Sequence, residues 1–397
     1  MPPASSTCLA NVKVLDFTRV ISGPFATMML ADMGADVVKV EEPQHGDEMR
    51  HIVYEGRSSH DHDYFNANNR SKRSIALNLK DPAHVAIAQE LASKADIAIE
   101  NFSPGVADRL GIGWSKLHAI NPKLVYCSIS GFGQTGPYRS RPALDPVIQA
   151  FSGVMSVTGN HDQPPLQIGA PVGDVVAGMF AAYAVVCAWS EASRTKVGRY
   201  IDVSMLDSMM AVLGPRMGEP LQAGKNPERH GNSNPMRIPT NTYLTADNRH
   251  IMVAVLNDVQ WKPFCDALER PDWHANTDYR TMAGRRADRE RLDALVAESI
   301  RLRTFTEWEK RFEQHRVPFG SVNSYLEAVN DPQVAHRGLI REVKHPRSGN
   351  IRVVGAPWKI TGVENPVRSP PLLGEHTDEV LRDWLSQTPT ALQSTKA

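Results

Sequence analysis

The sequence predicts an α/β protein with two domains, a large one built on a mostly parallel sheet and a smaller α+β one. Three observations support this fold class. Strand and helix signals alternate over residues 1–213, as in proteins whose helices cover a parallel sheet. Residues 214–240 are rich in Pro, Gly and Asn, which is typical of a linker. The length of 397 residues exceeds that of an ordinary single domain.

The alternation begins with residues 12–17, an apolar and β-branched segment that predicts a buried strand. A helix is expected from Pro24, because a first helical turn tolerates proline, and Gly34 is expected to end it. By the same signals, further strands are predicted at 37–40, 74–79, 96–100, 124–130 and 201–205, and helices at 82–94, 106–110, 115–120, 174–193 and 206–213. In such a sheet, ligands bind at the carboxyl ends of the strands.

A smaller domain is predicted over residues 241–330. Strands at 242–244 and 250–255 would pair around a turn at Asp247-Asn248. Helices are expected at 259–269, 285–303 and 305–315. Residues 331–397 are assigned to the large domain, together with residues 1–213.

Charge, cysteine content and hydropathy limit the binding partners and the cellular location that we expect. Basic and acidic residues number 44 each, so no net charge attracts nucleic acid or a membrane surface. The four cysteines lie far apart in sequence, which argues against a zinc site and favours free thiols in a reducing, cytoplasmic compartment. The first ten residues do not resemble a secretion signal. The apolar run 175–189 is shorter than the roughly 20 residues that a bilayer requires, which predicts a buried core helix.

Two short motifs are ambiguous. Residues 131–136 fit the dinucleotide pattern G-x-G-x-x-G, but Pro137 and Pro142 preclude the helix that should follow it. A mobile glycine loop, or one that approaches a ligand closely, is favoured instead. The segment His60-Asp61-His62-Asp63 invites a metal interpretation, yet no further ligands are evident, and a solvated polar loop is expected with no metal.

The sharpest chemical signal is Gly169-Ala170-Pro171-Val172-Gly173-Asp174, which runs into a long apolar helix. One interpretation of Asp174 is a helix cap, a role that aspartate performs well. The other is a nucleophile in a dry site, kept ionised at neutral pH by the helix dipole. The glycines and proline before it favour a backbone that a ligand approaches closely.

Seven segments together resemble the family III CoA-transferases over nearly the whole chain. They are VLDFTRV at 14–20, LADMGADVVKVE at 30–41, NRSKRS at 69–74, ENFSPG at 100–105, SISGFGQTGP at 128–137, Gly173-Asp174 and PPLLGEHT at 370–377. The resemblance implies a Rossmann-like large domain and an interlocked homodimer. It also implies CoA and acyl-CoA as substrates, with no permanently bound cofactor.

The resemblance places the catalytic aspartate on Asp174. The positions that it assigns to CoA binding are Val20, Ile21, Leu77, Lys80, Asn101, Phe102, Arg109, Arg141 and Asp145. Arg19 would hold a substrate carboxylate, or else form a salt bridge at a strand end. Backbone amides of Gly131, Phe132 and Gly133 would stabilise oxyanions. Judged as residues alone, Lys72, Arg73 and Lys80 suggest ordinary surface charge.

The implied mechanism passes through covalent intermediates on Asp174. The carboxylate attacks the acyl-CoA thioester, and a mixed anhydride and CoA thiolate form. The thiolate then returns to give an aspartyl-CoA thioester, from which CoA moves to the acceptor acid. Succinyl-CoA is one candidate donor. Residues 232–235 lack the glycine run of formyl-CoA transferase, which argues against formate and oxalate.

Two alternatives stay open. The same fold includes α-methylacyl-CoA racemases, which carry a histidine where this chain has Leu144. Leucine cannot exchange a proton, so transfer is favoured, and deuterium uptake at the α-carbon would discriminate. The other alternative is a non-catalytic CoA-binding protein, in which replacement of Asp174 would change no activity.

Overall fold

The computed structural model describes residues 7–56, 62–363 and 367–386. The chain divides into two compact units. The first comprises Met1–Val154, Gln167–Gln222 and Pro332–Ala397, and the second comprises Met155–Leu166 and Ala223–Asp331. Residues 155–166 therefore group with the second unit rather than with the predicted large domain, and the predicted linker is divided between the two units.

The strands form three separate sheets. Numbered along the chain, they are β1 Lys13–Asp16, β2 Asp36–Glu41, β3 Arg73–Ala76, β4 Ile97–Glu100, β5 Val125–Ser130, β6 Tyr200–Ser204, β7 Thr240–Leu244, β8 His250–Ala254, β9 Phe319–Ser321, β10 Ile340–His345 and β11 Gly349–Val354. The first six form one sheet in the order β3-β2-β1-β4-β5-β6, and every neighbouring pair is parallel. This is the strand order of Rossmann-type sheets, so the predicted α/β class with a parallel sheet is confirmed.

The α-helices surround this sheet or belong to the second unit. They are α1 Ser22–Asp32, α2 Asp63–Asn68, α3 Pro82–Lys94, α4 Val106–Arg109, α5 Trp114–Ile120, α6 Asp145–Phe151, α7 Val154–Val157, α8 Val172–Thr195, α9 Met205–Val212, α10 Asp258–Ala267, α11 Pro271–Ala275, α12 Met282–Ala287, α13 Arg289–Ile300, α14 Phe305–His315, α15 Tyr325–Val329, α16 Pro332–Arg337 and α17 Thr377–Leu385. The predicted bounds of α3 and α14 are confirmed. A single helix over 285–303 is wrong, because Asp288 leaves the helical conformation (φ −114°, ψ 34°) and separates α12 from α13.

Helix α8 has 24 residues, so the argument that its apolar run is too short for a bilayer is wrong. By length and composition alone it could cross a membrane, the one such helix among the described residues. Its packing within the first unit is that of a core helix. Ala177, Ala181 and Val185 are fully buried. A side chain at Gly178 would come within 2.6 Å of the Ser22 carbonyl oxygen, so the backbones of α1 and α8 touch there.

The second unit has its own core beside the antiparallel sheet β7-β8-β9. Aromatic side chains dominate this core, among them Trp261, Phe264, Trp308 and Phe312. The predicted pairing around Asp247-Asn248 is confirmed, with Thr240 opposite Ala254 at the far end of the ladder. The unit therefore meets the usual requirement for a domain, a hydrophobic core of its own.

The C-terminal segment returns to the large sheet, as residues 370–377 show. The Gly374 amide donates to Ser74 Oγ at 2.9 Å, and the His376 amide donates to the Ser74 carbonyl at 2.9 Å. Arg50 Nη1 donates to the Pro371 carbonyl at 3.1 Å. These bonds give the PPLLGEHT motif a structural role, because they hold it against the edge of the sheet beyond β3.

Candidate active site

The strand order reverses between β1 and β4, and the carboxyl ends of these strands frame a crevice where ligands bind in such sheets. Asn101, directly after β4, bridges to the loop after β1. Its Oδ1 accepts from the Arg19 amide at 2.8 Å, and its Nδ2 donates to the Arg19 carbonyl at 2.8 Å. The Asn101 side chain therefore holds the two strand ends together, which accounts for its place in the ENFSPG motif.

Val20 adopts a strained backbone at the mouth of this crevice. Its φ is +66°, a conformation that β-branched residues rarely accept. The Val20 amide donates to both carboxylate oxygens of Asp47 at 3.2 Å. Asp47 in turn pairs with Lys39 at 3.0 Å, and both side chains are fully buried. This pair holds the strained turn in place, and such strain is often retained at functional sites.

A second buried pair lies directly below the crevice. Lys72 Nζ is 3.1 Å from Asp16 Oδ2, and both side chains are fully buried. Burial lowers the pKa of Lys72 to about 8, although Asp16 opposes the shift. Arg73 is also largely buried and contacts Asp36. The expectation that Lys72 and Arg73 carry ordinary surface charge is therefore wrong, because both bind carboxylates inside the unit.

Asp174 lies in the first turn of α8 and lines a cavity of about 140 Å³. The side chain and backbone of Ser22, the first residue of α1, both hydrogen-bond to its carboxylate. The helices α1 and α8 therefore present their N-termini to the same carboxylate. Five residues predicted at the CoA site line this cavity with it: Val20, Asn101, Phe102, Arg141 and Asp145.

Asp145 caps the helix that carries Asp174. Its Oδ1 accepts from the Gly173 amide at 2.6 Å and from the Asp174 amide at 3.3 Å. Its Oδ2 accepts from Gln149 Nε2 at 2.7 Å. Amides at the start of a helix have no partners within it, so this side chain from α6 supplies the cap. The cap interpretation considered for Asp174 therefore applies to Asp145 instead, and the Asp174 carboxylate is left for Ser22 and the cavity.

The pKa of Asp174 is raised to about 7, mainly by burial and next by the negative charge of Asp145. The hydrogen bonds from Ser22 lower it, but they do not cancel the rise. The expectation that the helix dipole keeps Asp174 ionised at neutral pH is therefore met only in part, because burial and a like charge bring the pKa to about 7, where both the ionised and the neutral carboxyl are populated.

Asp145→Asn should shift the pH dependence of activity toward acid. The negative charge of Asp145 raises the pKa of Asp174, so its removal lowers that pKa. We expect the acidic limb of kcat/KM to move down by about one pH unit, since this limb reports the free enzyme. Asparagine also caps helices, so stability should change little. Asp145→Ala should shift the limb similarly and cost a further 1 kcal/mol or so of stability. An unchanged limb in both variants would refute the charge coupling.

The glycine loop after β5 forms one wall of the cavity through Gly131 and Phe132. A Cβ at Gly131 would lie 2.1 Å from that of Ala143, so only glycine fits there. Gly133 is buried beside these residues but is not among the cavity-lining residues. The next amide, that of Gln134, already donates to Asp202 at 2.9 Å. No helix follows until Asp145, as the two prolines predicted. Of the three loop residues proposed to stabilise oxyanions, Gly131 and Phe132 therefore line the cavity of Asp174, whereas Gly133 does not.

The predicted cations are distributed unevenly. Arg139 and Arg141 line the cavity, and Arg141 stacks on Tyr138 with its guanidinium 3.9 Å from the ring centre. Arg19 is exposed, with its guanidinium 5.3 Å from the Phe102 ring centre. Lys80 and Arg109 are exposed and are not among the cavity-lining residues. The cationic contribution to the cavity therefore comes from the loop before α6.

The remaining predicted positions lie at the same edge of the sheet but outside the cavity. Leu77 is 1% exposed, so only its backbone can meet a ligand. Ile21 precedes α1 and is half-buried. Leu144, where racemases carry histidine, is 68% exposed at the cavity mouth. None of the described residues that line the cavity is histidine.

The segment considered for metal binding, residues 60–63, is described only in part, because His60 and Asp61 fall outside the described residues. His62 Nδ1 contacts the Arg50 carbonyl. Within the described ranges, no group of three or more His, Cys, Asp or Glu side chains is placed to hold a metal.

Sequence reasoning missed several contacts in and around the cavity. Ser22 binds Asp174, yet a serine beside Gly23-Pro24 looks like an ordinary helix start. Glu100 accepts from the Phe102 amide at 2.7 Å, and burial raises its pKa to about 7. Asp47 supports Val20 from 27 residues away. The ENFSPG motif contains Glu100 and Phe102, so it gave a signal for their contact. The other contacts depend on long-range packing and left no signal in the sequence.

Comparison with known proteins gives concordant matches. A family model described as CoA-transferase family III matches residues 9–377. The succinyl-CoA:glutarate CoA-transferase of Homo sapiens is 36% identical over 380 residues, covering 95% of this chain and 86% of that protein. The acetyl-CoA:oxalate CoA-transferase of Acetobacter aceti is 37% identical over 359 residues, covering 90% of each. The crystal structure of a CAIB/BAIF family protein from Brucella suis matches with a TM-score of 0.85 and 32% identity, covering 96% of this chain and 100% of that one.

Proposed function

The chain belongs to CoA-transferase family III, and we propose that it transfers CoA between carboxylic acids through covalent intermediates on Asp174. The observation that carries the mechanism is the half-buried Asp174 carboxylate, which faces a cavity at the point where the strand order reverses. A carboxylate there is a nucleophile that needs no metal or organic cofactor. CoA and acyl-CoA enter as substrates rather than as permanently bound groups.

The steps follow from what the Asp174 side chain can do. Its oxygen attacks the thioester carbonyl, the carbon–sulfur bond breaks, and an aspartyl anhydride and CoA thiolate result. The thiolate attacks the aspartyl carbonyl, which releases the first acid and leaves an aspartyl-CoA thioester. The acceptor carboxylate attacks this thioester, which expels CoA thiolate and forms a second aspartyl anhydride. The thiolate then attacks the acceptor's acyl carbonyl, the anhydride bond to Asp174 breaks, and the new acyl-CoA forms. The Asp174 carboxylate is regenerated.

Two features of the cavity support these steps. The anhydride and the thioester both hydrolyse, so the small cavity of about 140 Å³ favours these steps once bound substrate fills it and displaces water from Asp174. The amides of Gly131 and Phe132 are the candidates for stabilising each oxyanion, a contribution typically worth about 3 kcal/mol. The reaction starts from ionised Asp174, so the free enzyme gains activity as the pH rises through about 7.

The acid exchanged is proposed to be a dicarboxylate. Arg139 and Arg141 both line the cavity, and either guanidinium can hold a second carboxylate. Arg141 stacks on the Tyr138 ring with its N–H groups still available in the plane, and Arg139 is the residue that we test. Arg19, the residue first considered for this role, lies outside the lining. The human relative is named for succinyl-CoA and glutarate. The bacterial one is named for acetyl-CoA and oxalate, an acid that residues 232–235 argue against for this chain. Succinyl-CoA remains our candidate donor.

A panel of acids tests the substrate class. Protein incubated with succinyl-CoA and each acid in turn should form dicarboxyl-CoA products, as read by mass spectrometry of the thioesters. Arg139→Ala should raise KM for a dicarboxylate about tenfold or more, because a charge-assisted contact is lost, and should leave a monocarboxylate unaffected. Arg194→Ala, at the far end of α8, serves as the control. Equal losses for both kinds of acid would exclude Arg139 as the specificity residue.

We further propose that the protein is an interlocked homodimer. The outer face of α8 exposes Met179 (49%), Phe180 (41%) and Tyr183 (71%). A stripe of large apolar side chains on a core helix is typical of an interface. The ring-like threading of the two chains comes from the resemblance to the family.

Sedimentation and subunit exchange test this assembly. The protein should sediment at twice the mass of one chain. Tagged and untagged dimers, once mixed, should not exchange subunits until denaturant is added, because threaded chains separate only by unfolding. Tyr183→Asp should reduce the yield of dimer, since a charge would be buried. Free exchange under native conditions would contradict interlocking, and a monomer would contradict both proposals.

A reducing, cytoplasmic location is proposed from the cysteines. All four are free thiols, with Cys127 and Cys265 buried and Cys8 and Cys187 exposed. Burial raises the pKa of Cys265 to about 12, which keeps it unreactive. No association with membranes or nucleic acid is proposed, in keeping with the zero net charge.

A further inference from the structure

We propose that the first unit carries a second binding site, which takes a small oxyanion with two or more negative charges. The site is a cavity of about 530 Å³ beside α16 and the hairpin β10–β11. Its lining includes Arg337, Arg341, Trp358 and Lys359, with Asp32 as its acidic residue. No role in CoA transfer accounts for these residues.

This cavity is distinct from the one that holds Asp174. Helix α1 begins at Ser22, which hydrogen-bonds Asp174, and ends at Asp32, which lines the second cavity. Eleven helical residues span about 16 Å. Asp32 also lies next to the start of β2, at the amino edge of the parallel sheet. The two cavities therefore lie at opposite ends of α1.

The charges in this cavity are unbalanced. Arg337, Arg341 and Lys359 contribute three positive charges, whereas Asp32 is already neutralised by Arg70, whose Nε donates to Asp32 Oδ1 at 3.0 Å. None of the three cations forms an ion pair with an acidic residue in the part of the chain that the structure describes. In a protein with no net charge, such a local excess of cations favours an anionic ligand.

The backbone brings the two arginines together. Gly338, with φ +60°, turns the chain between α16 and β10 and so places Arg337 and Arg341 on either side of the turn. The Gly355 amide donates to the Leu339 carbonyl at 2.7 Å, which closes the turn against the end of β11. A Cβ at Gly355 would lie 3.0 Å from Arg341 Cγ, so the stem of Arg341 rests on that glycine. The stem of Arg341 therefore packs against Gly355, while the side chain as a whole is exposed to solvent.

The indole of Trp358 supplies an independent sign of a missing ligand. Its Nε1 is buried and has no hydrogen-bond acceptor among the described residues. A buried donor without a partner costs about 1–3 kcal/mol, so such groups usually meet an acceptor. Arginine, lysine and indole nitrogens only donate, and the ligand must supply acceptor oxygens. Phosphate and carboxylate groups both have this chemistry, and planar guanidinium groups match either.

Calorimetric titration of the full-length protein tests the site, with pyrophosphate and citrate as probes. We expect one saturable event for the wild type that involves this cavity. Arg341→Gln should weaken it about tenfold or more, because one charge-assisted contact is lost. Trp358→Phe, which keeps an aromatic ring but removes the N–H, should weaken it several-fold. Arg352→Gln is the control, as Arg352 is exposed on the same hairpin and is absent from the lining.

The two probes separate the sources of the ligand. Tighter binding of pyrophosphate assigns the site to phosphate compounds, and tighter binding of citrate assigns it to polycarboxylates. The proposal is overturned if neither probe saturates, if Arg341→Gln binds as well as the wild type, or if Arg352→Gln loses as much as Arg341→Gln. Asp174→Ala should bind both probes at this site normally, so failure of the catalytic proposal would leave this result unaffected.

Discussion

Asp174→Ala is expected to reduce CoA transfer by about ten-thousand-fold or more, because every proposed intermediate forms on this side chain. The structure explains why no neighbour can substitute. Asp145, the other carboxylate in the cavity, already accepts from the Gly173 and Asp174 amides. Mass spectrometry of wild-type protein quenched during turnover should find an adduct on Asp174, and the variant should show none.

Asp207→Ala is the matched control for this experiment. Asp207 also lies in the first turn of a helix, α9, but it is exposed and does not line the cavity. It should retain nearly full activity. If Asp174→Ala kept the wild-type rate, the covalent mechanism would be wrong. If the wild type bound CoA but transferred none, a non-catalytic CoA-binding protein would be favoured.

Asp16→Asn is expected to destabilise the first unit by about 3–5 kcal/mol, since it breaks a buried ion pair and leaves a charge without a partner. Burial disfavours the charge of Asp16, but Lys72 and Lys39 together hold its pKa below the usual range. Asp16 also accepts from Thr27 Oγ1 at 2.7 Å and from the Thr18 amide at 2.9 Å. Its loss would therefore disturb the loop that carries Arg19 and Val20.

Urea denaturation combined with hydrogen exchange of peptides from β1 and β4 would measure this loss within the first unit alone. Glu191→Gln is the control, because Glu191 pairs with Arg199 on the surface of the same unit, where such pairs contribute little. It should leave the urea midpoint nearly unchanged. A loss for Asp16→Asn no larger than that of the control would show that the buried pair does not stabilise the fold.

The sequence predicted the regular parts of the protein well because their signals are local. Alternation of β-branched runs with helical spacing identified the strands from β1 to β6 and the helix α3. Proline near the start of α1 and two prolines after the glycine loop set boundaries that the structure confirms. The glycines that precede Asp174 in the sequence, together with the other motifs, also indicated the family that the comparisons show.

Long-range contacts explain what sequence reasoning missed. Lys72 looked like a surface residue because buried lysines are rare, and only the fold places it against Asp16, 56 residues away. The pKa of Asp174 could not be predicted either, since it depends on burial and on the charge of Asp145, 29 residues distant. The break at Asp288 likewise has no strong local signal.

The α/β class, the parallel sheet, the family and the candidate nucleophile could all be predicted from the order of the residues. Each of these follows from local spacing or from short motifs, which can be recognised without knowledge of the packing. The folded chain was needed to show that Asp145 caps α8, that Ser22 binds Asp174, and that Lys39 and Lys72 are buried against carboxylates. The reason is physical: burial, charge coupling and helix capping arise between residues that only the folded chain brings together.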